Sequence, residues 1–137
     1  MPFDKRFWIS FAAVFVVAMV IGFINHGLLL APDYEALTPS VMRTLEDQES
    51  KFTFQIFAHV LVAFGFVWLY REGRSADKPW LGQGVRFGIA FALAAIVPIF
   101  LIYHAVAQFP LDLAIKQGLF DSVGAVILGV VSAFLNR

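Results

Sequence analysis

The sequence predicts an all-α integral membrane protein: four transmembrane helices in an up-down-up-down antiparallel bundle. Of its 137 residues, 60% are hydrophobic and 15% charged, against about 25% charged in a soluble domain. Mean hydropathy is +0.78. Four apolar stretches, near 7–30, 52–70, 84–106 and 111–135, are each long enough to cross a hydrocarbon core of roughly 30 Å. The links between them are short enough to make neighbours antiparallel. Together they read as one transmembrane domain, with no room for a second.

The first stretch reads as a span rather than a cleavable signal peptide, because its apolar core is too long and no small-x-small site follows. Ala18, Gly22 and His26 are spaced by four, so His26 continues a small-residue stripe that should face the bundle, with Asn25 beside it. The connection 31–51 is the one long loop. Thr38 followed by Pro39 reads as an N-cap and first helical position, and Val41, Met42 and Leu45 share a side, predicting a short interfacial helix. The loop's acidic residues read as a solvated face, since they lack the alternating ligands and central glycine of a calcium loop.

The second stretch carries Gln55 and His59, again four apart, and ends in the polar hairpin REGRSADKPW. In the third, Gly84, Gly88, Ala92 and Ala95 form a close-packing stripe, and Pro98 should free a backbone carbonyl and kink the helix. Tyr103, His104 and Gln108 follow at its outer end. Pro110 suits the opening turn of the fourth stretch. There Gly118, Ser122, Ala125, Gly129 and Ala133 give a flat face for another helix. Lys116, Gln117 and Asp121 are its polar members. Trp8, Trp68, Tyr70 and Trp80 sit near span ends, where amphipathic rings prefer to lie.

Basic residues set the orientation. Lys5, Arg6, Arg71, Arg74, Lys78, Arg86 and Arg137 all fall on one side, which the positive-inside rule makes cytoplasmic together with both termini. The polar groups of the spans then collect in the outer half of the membrane, and the inner half is almost purely apolar. Four helices with polar groups at one depth predict either a pocket opening outward or a network that glues the helices.

Asp121 is the pressing case. It lies about 14 residues, or 21 Å at 1.5 Å per residue, from Leu135. An ionisable group there costs about 2.5–3.5 kcal/mol unless it is partnered or neutral. His59, nearest in counted depth, is the expected partner, with Gln55 sharing the contact and His104 the next choice. Lys116 is expected to snorkel to the outer interface.

Other classes drop out. Net charge is zero, which gives no reason to expect a nucleic-acid partner. Without cysteine there are no disulfides, thiolate metal sites or covalent haem attachment. Glycine-rich phosphate loops, nucleophile elbows and His-Glu-x-x-His patterns are missing. No metal site is assigned. The cofactor is open, with a bis-histidine haem or a pigment as the classes that His26, His104 and His59 leave standing. The sixteen phenylalanines read mainly as lipid-facing and interhelical packing, with a wall for a flat hydrophobic ligand as the alternative.

The layout resembles a family of small bacterial four-helix membrane proteins classed as a domain of unknown function. The likeness lies in a first span ending GFINHGLLLAPDYEAL, a glycine-bearing third span with a mid-helix proline, and a last span opening LDLAIKQGLFDSVGAVILG. It implies a compact four-helix fold in a bacterial inner membrane and assigns no activity. Three function classes follow. The first is a non-enzymatic protein, either an accessory subunit docked among other membrane subunits or a binder of a lipid, quinone or pigment in the outer-half pocket. The second is a small homo-oligomeric transporter or channel. The third is a membrane enzyme using Asp121 and the histidines as acid and base.

Overall fold

The computed structural model describes residues 3–137. Six helices follow one another: α1 (Lys5–Leu29), α2 (Ala31–Ala36), α3 (Leu45–Glu49), α4 (Phe52–Gly73), α5 (Trp80–Val106) and α6 (Leu111–Leu135). The four long ones, α1, α4, α5 and α6, pack as a bundle, and each is long and apolar enough to span a membrane. Their outward faces agree. Val16, Phe54, Leu93 and Leu119 are all at least 58% exposed, an apolar belt that water would not tolerate and lipid requires. The protein is a multi-pass membrane protein.

α6 is the most buried of the four and touches the other three. Its small residues explain this. Against α5, a Cβ placed on Gly84 would lie 2.5 Å from the Gly129 carbonyl oxygen, and one on Gly88 would lie 2.5 Å from the Val126 Cα. The two backbones are in direct contact, which only glycine permits. Against α1, Gly124 receives the Ile21 side chain. Phe7, Val14 and Ala18 of α1 interlock with Ala63, Phe66 and Val67 of α4 over Leu128, forming the apolar core. α4 and α5 meet through Phe66 with Phe87 and Phe91, and Tyr70 with Phe87, all toward the basic end.

The small-residue face of α6 is used in part. Ala125, Gly129 and Ala133 meet α5, whereas no atom lies within 4 Å of a Cβ added at Gly118. Ser122 donates its hydroxyl to the Gly118 carbonyl at 2.5 Å and is satisfied within its own helix.

Two long helices contain π-helical segments, Phe23–Leu29 in α1 and Ala92–Ile96 in α5. In the first, Leu30 N–H reaches back five residues to the Asn25 carbonyl at 2.9 Å. The second ends just before Pro98, which occupies the first turn of the resumed α-helix. The disturbance expected from this proline is therefore a widened turn before it.

The long connection departs from its prediction. Thr38 does not open a helix: residues 37–41 form turns, and the Thr38 hydroxyl donates back to the Tyr34 carbonyl at 2.9 Å. The helices are α2, with Pro32 in its first turn, and α3, capped by Thr44. α2 follows α1 after a single residue, so Asp33 and Tyr34 stay against the bundle. Asp47 in α3 bonds Lys51 and Arg43, which hold its carboxyl down at about 2.

The half nearer the basic end, expected to be almost purely apolar, holds a buried polar contact. Asn136 is buried and donates to the Ser10 hydroxyl at 2.9 Å and the Ser132 carbonyl at 2.8 Å, tying the end of α6 to α1. Nearby, Arg71 donates two hydrogen bonds to Asp4, at 2.7 and 2.8 Å, and Asp4 also caps α1 by accepting from Phe7 N–H at 2.8 Å.

Two outcomes follow. Gly129→Ala forces α5 and α6 apart and should destabilise by about 1–3 kcal/mol. Gly65→Ala meets open space and should be neutral or stabilising by up to about 1 kcal/mol; thermal melts in detergent compare the two. The Arg71 bonds hold the Asp4 carboxyl below the usual carboxylate range. A depressed folded-state pKa gives stability that is present above the unfolded value and lost as pH falls. The melting-temperature gap between the parent and Asp4→Asn should therefore shrink as pH is lowered through about 4 and below.

Candidate functional site

A cavity of about 460 Å³ lies where all four spans face one another. Ala18, Ile21 and Gly22 of α1, Ala58 and Val62 of α4, Phe91 to Phe100 of α5, and Gly124 to Leu128 of α6 supply apolar walls. Three polar side chains enter it: His26, His59 and Asp121. Both π-helical segments border it, the first through His26 and the second through Ala95 and Ile96. Such turns widen a helix locally and are frequent at functional sites. Ala58 and Ile99 line the cavity yet are themselves exposed, so it opens sideways between α4 and α5, toward lipid.

One wall carries a chain of hydrogen bonds. Asp121 accepts from Asn25 Nδ2 at 3.0 Å and from His26 Nε2 at 3.1 and 3.2 Å. His26 Nδ1 lies 2.5 Å from the Tyr34 hydroxyl, which also accepts from Gln117 Nε2 at 2.8 Å. Beyond Tyr34, Lys116 bonds Asp33 at 2.7 Å. With Asp121 ionised, His26 Nε2 must carry a proton, and in a neutral ring Nδ1 then accepts from the Tyr34 O–H. Burial pushes the Tyr34 phenol up to about 12, so it stays protonated and remains a donor. Gln117 Oε1 is buried without a partner. Turning that amide would offer Oε1 to Tyr34 and let a doubly protonated His26 donate in its place. The same hydrogen-bond positions thus accommodate His26 with one ring proton or with two.

His59 stands apart from this chain. Its Nδ1 donates to the Gln55 carbonyl, one turn back, at 2.7 Å. In a neutral ring that bond sets the tautomer and makes Nε2 an acceptor. Nε2 sits 3.1 Å from where a Gly22 Cβ would be, and among the described residues it has no hydrogen-bond partner.

Several expected contacts are therefore corrected. Asp121 pairs with His26 and Asn25, not with His59 or His104. Depth counting assumed a regular rise and phase, and the π turn in α1 breaks both. The Gln55 side chain is exposed and shares nothing with Asp121. Tyr103, His104 and Gln108 are exposed, and His104 Nδ1 is occupied by the Phe109 carbonyl at 2.6 Å, so these three stay outside the cavity. Asp33 is an ion-pair partner rather than part of a solvated face. Tyr34 was missed, although its spacing of eight from His26 puts both on one side of a nearly continuous helix. Among the described residues, no three His, Asp or Glu side chains gather as metal ligands would.

The model of a family described as a protein of unknown function, DUF1761, matches residues 9–133. The chain belongs to the DUF1761 family. No curated protein and no solved structure matches it. The match reaches all four spans and includes every residue that lines the cavity.

The pairing can be measured by double-mutant cycles in detergent. His26→Leu with Asp121→Asn should return a coupling of about 0.6–1.7 kcal/mol, the range for membrane hydrogen bonds. His59→Leu with Asp121→Asn should return a value near zero. A reversed order would place His59, not His26, on Asp121.

Proposed function

We propose that this DUF1761 protein binds an amphiphile of the bilayer, a molecule with an apolar body and a hydrogen-bond-donating head, in the lateral cavity. The observation that carries the reading is the unpartnered His59 Nε2 on the wall of a mostly apolar cavity, across from His26 and Asp121. An acceptor that meets lipid rather than water is costly until a donor reaches it. A hydroxyl or N–H head meets that need, and the tail fills the walls of Ile21, Val62, Phe91 and Ile96. The volume falls in the usual range for small-molecule sites, about 300–1,000 Å³. The opening between α4 and α5 lets the molecule enter from lipid without crossing water.

By the positive-inside rule the basic end is cytoplasmic, which puts the cavity in the outer half of a bacterial inner membrane. Binding of this kind suits a carrier or accessory subunit that presents its amphiphile to other membrane proteins. No specific observation favours a reaction at the site.

Protein passed through repeated nonionic detergent exchange should retain about one amphiphile per chain, read by native mass spectrometry and identified after solvent extraction. Ala58→Trp, which fills the mouth from an exposed position, should lose it while melting like the parent. His59→Leu should weaken retention about tenfold, one hydrogen bond's worth. Equal retention by the parent and both variants would overturn the reading.

A further inference from the structure

At the opposite end of the bundle the helix termini enclose a second cavity, of about 650 Å³, walled by cations. Arg6 comes from the start of α1, Arg74 and Lys78 from the hairpin between α4 and α5, and Arg137 from the end of the chain. Sequence places these far apart, and only the fold gathers them. Arg71 also lines the space, but its charge is met by Asp4. Among the described residues, none of Arg6, Arg74, Lys78 and Arg137 has an Asp or Glu side chain within ion-pair distance, and Arg6 instead meets a main-chain oxygen of Arg137. Asp77 and Glu72, on the same hairpin, do not neutralise them.

The walls are held in place. Gln83 accepts from Ser75 N–H at 2.7 Å and donates to the Ser75 and Lys78 carbonyls, each at 2.9 Å, which fixes the hairpin. Arg74 donates to the Asn136 carbonyl, and Arg6 to the Arg137 carbonyl at 3.1 Å. Arg137 lies over the Phe134 ring at 4.2 Å. Guanidinium groups steadied by carbonyls and a ring keep their full charge for an anion.

We propose that this cavity binds the phosphate of an anionic phospholipid. Phosphate chemistry follows from the convergent guanidinium groups. The lipid source follows from position: Tyr70 and Trp80 line the cavity, and their sequence neighbours Leu69 and Leu81 are 55% and 50% exposed, apolar surface for acyl chains at the same end of the bundle. The site is separate from the lateral cavity and independent of what that cavity binds.

The test uses the full chain in nonionic detergent, with melting temperature and native mass spectrometry as readouts. Phosphatidylglycerol should raise the melting temperature and stay bound, whereas phosphatidylcholine at the same mole fraction should do neither. Lys78→Gln changes a side chain that makes no hydrogen bond among the described residues and should weaken phosphatidylglycerol binding about fivefold. Lys5→Gln, at the same end but outside the cavity, should leave it unchanged. Equal weakening by the two variants would overturn the site, since bulk charge would then explain the binding. Equal retention of both lipids would overturn it as well. Protection by inorganic phosphate as strong as that by phosphatidylglycerol would overturn the lipid assignment and make the ligand a soluble phosphate.

Discussion

The backbone contact between α5 and α6 is the constraint from which the rest of the bundle follows. Gly84 and Gly88 lie directly on Gly129 and the Ala125–Val126 peptide, with no room for even a methyl group. In lipid, where apolar side chains gain nothing by leaving their surroundings, such close packing is the main source of helix association. It clamps two helices in the half of the bundle nearer the basic end. Above it the small-residue match runs out: a Cβ at Gly118 would touch nothing, and α5 widens into its π turn at Ala92–Ile96. The cavity lies where the clamp ends. Tight packing below and loosened helices above are two consequences of one distribution of glycines.

The second π turn, in α1, serves the polar groups. It brings Asn25 and His26 to bear on Asp121 together, although a regular helix would point adjacent residues about 100° apart. α2 then folds back after one residue and supplies Tyr34 and Asp33. Asn25, His26, Tyr34, Gln117 and Asp121 thus share one seam, closed at the end away from the basic residues by the Lys116–Asp33 pair.

Much of this was legible in the sequence and some was not, for physical reasons. The spans, the basic end and the glycine faces of α5 and α6 are properties of composition and of a period near 3.6, which the sequence displays directly. The partner of Asp121 depends on phase as well as depth, and phase is lost when a helix takes an extra residue in one turn. Nothing in FINHGLL announces that turn. The helix boundary at Thr38–Pro39 failed because a capping pattern only offers a helix start, and Tyr34 and Asp33 gain more by docking α2 on the bundle. The contact between Ser10 and Asn136 spans 126 positions, and no local pattern in the sequence links the two.

Magnitudes assign the roles of the two histidines. An aspartate well inside the hydrocarbon costs about 2.5–3.5 kcal/mol. Hydrogen bonds to a charged group return about 1.5–3 kcal/mol each, and Asp121 accepts from both Asn25 and His26. Two such bonds cover the cost, so Asp121 needs nothing from outside the chain, and His26 is committed on both ring nitrogens. His59 is different. Its Nδ1 is spent on a carbonyl of its own helix, and that bond turns Nε2 toward Gly22 and the cavity with nothing to meet it. Asp121 looks like the reactive group when only the sequence is in view, because it is the charge in the wrong place. In the folded chain it is the satisfied one, and of the three polar side chains that enter the cavity the one still in need of a partner is His59.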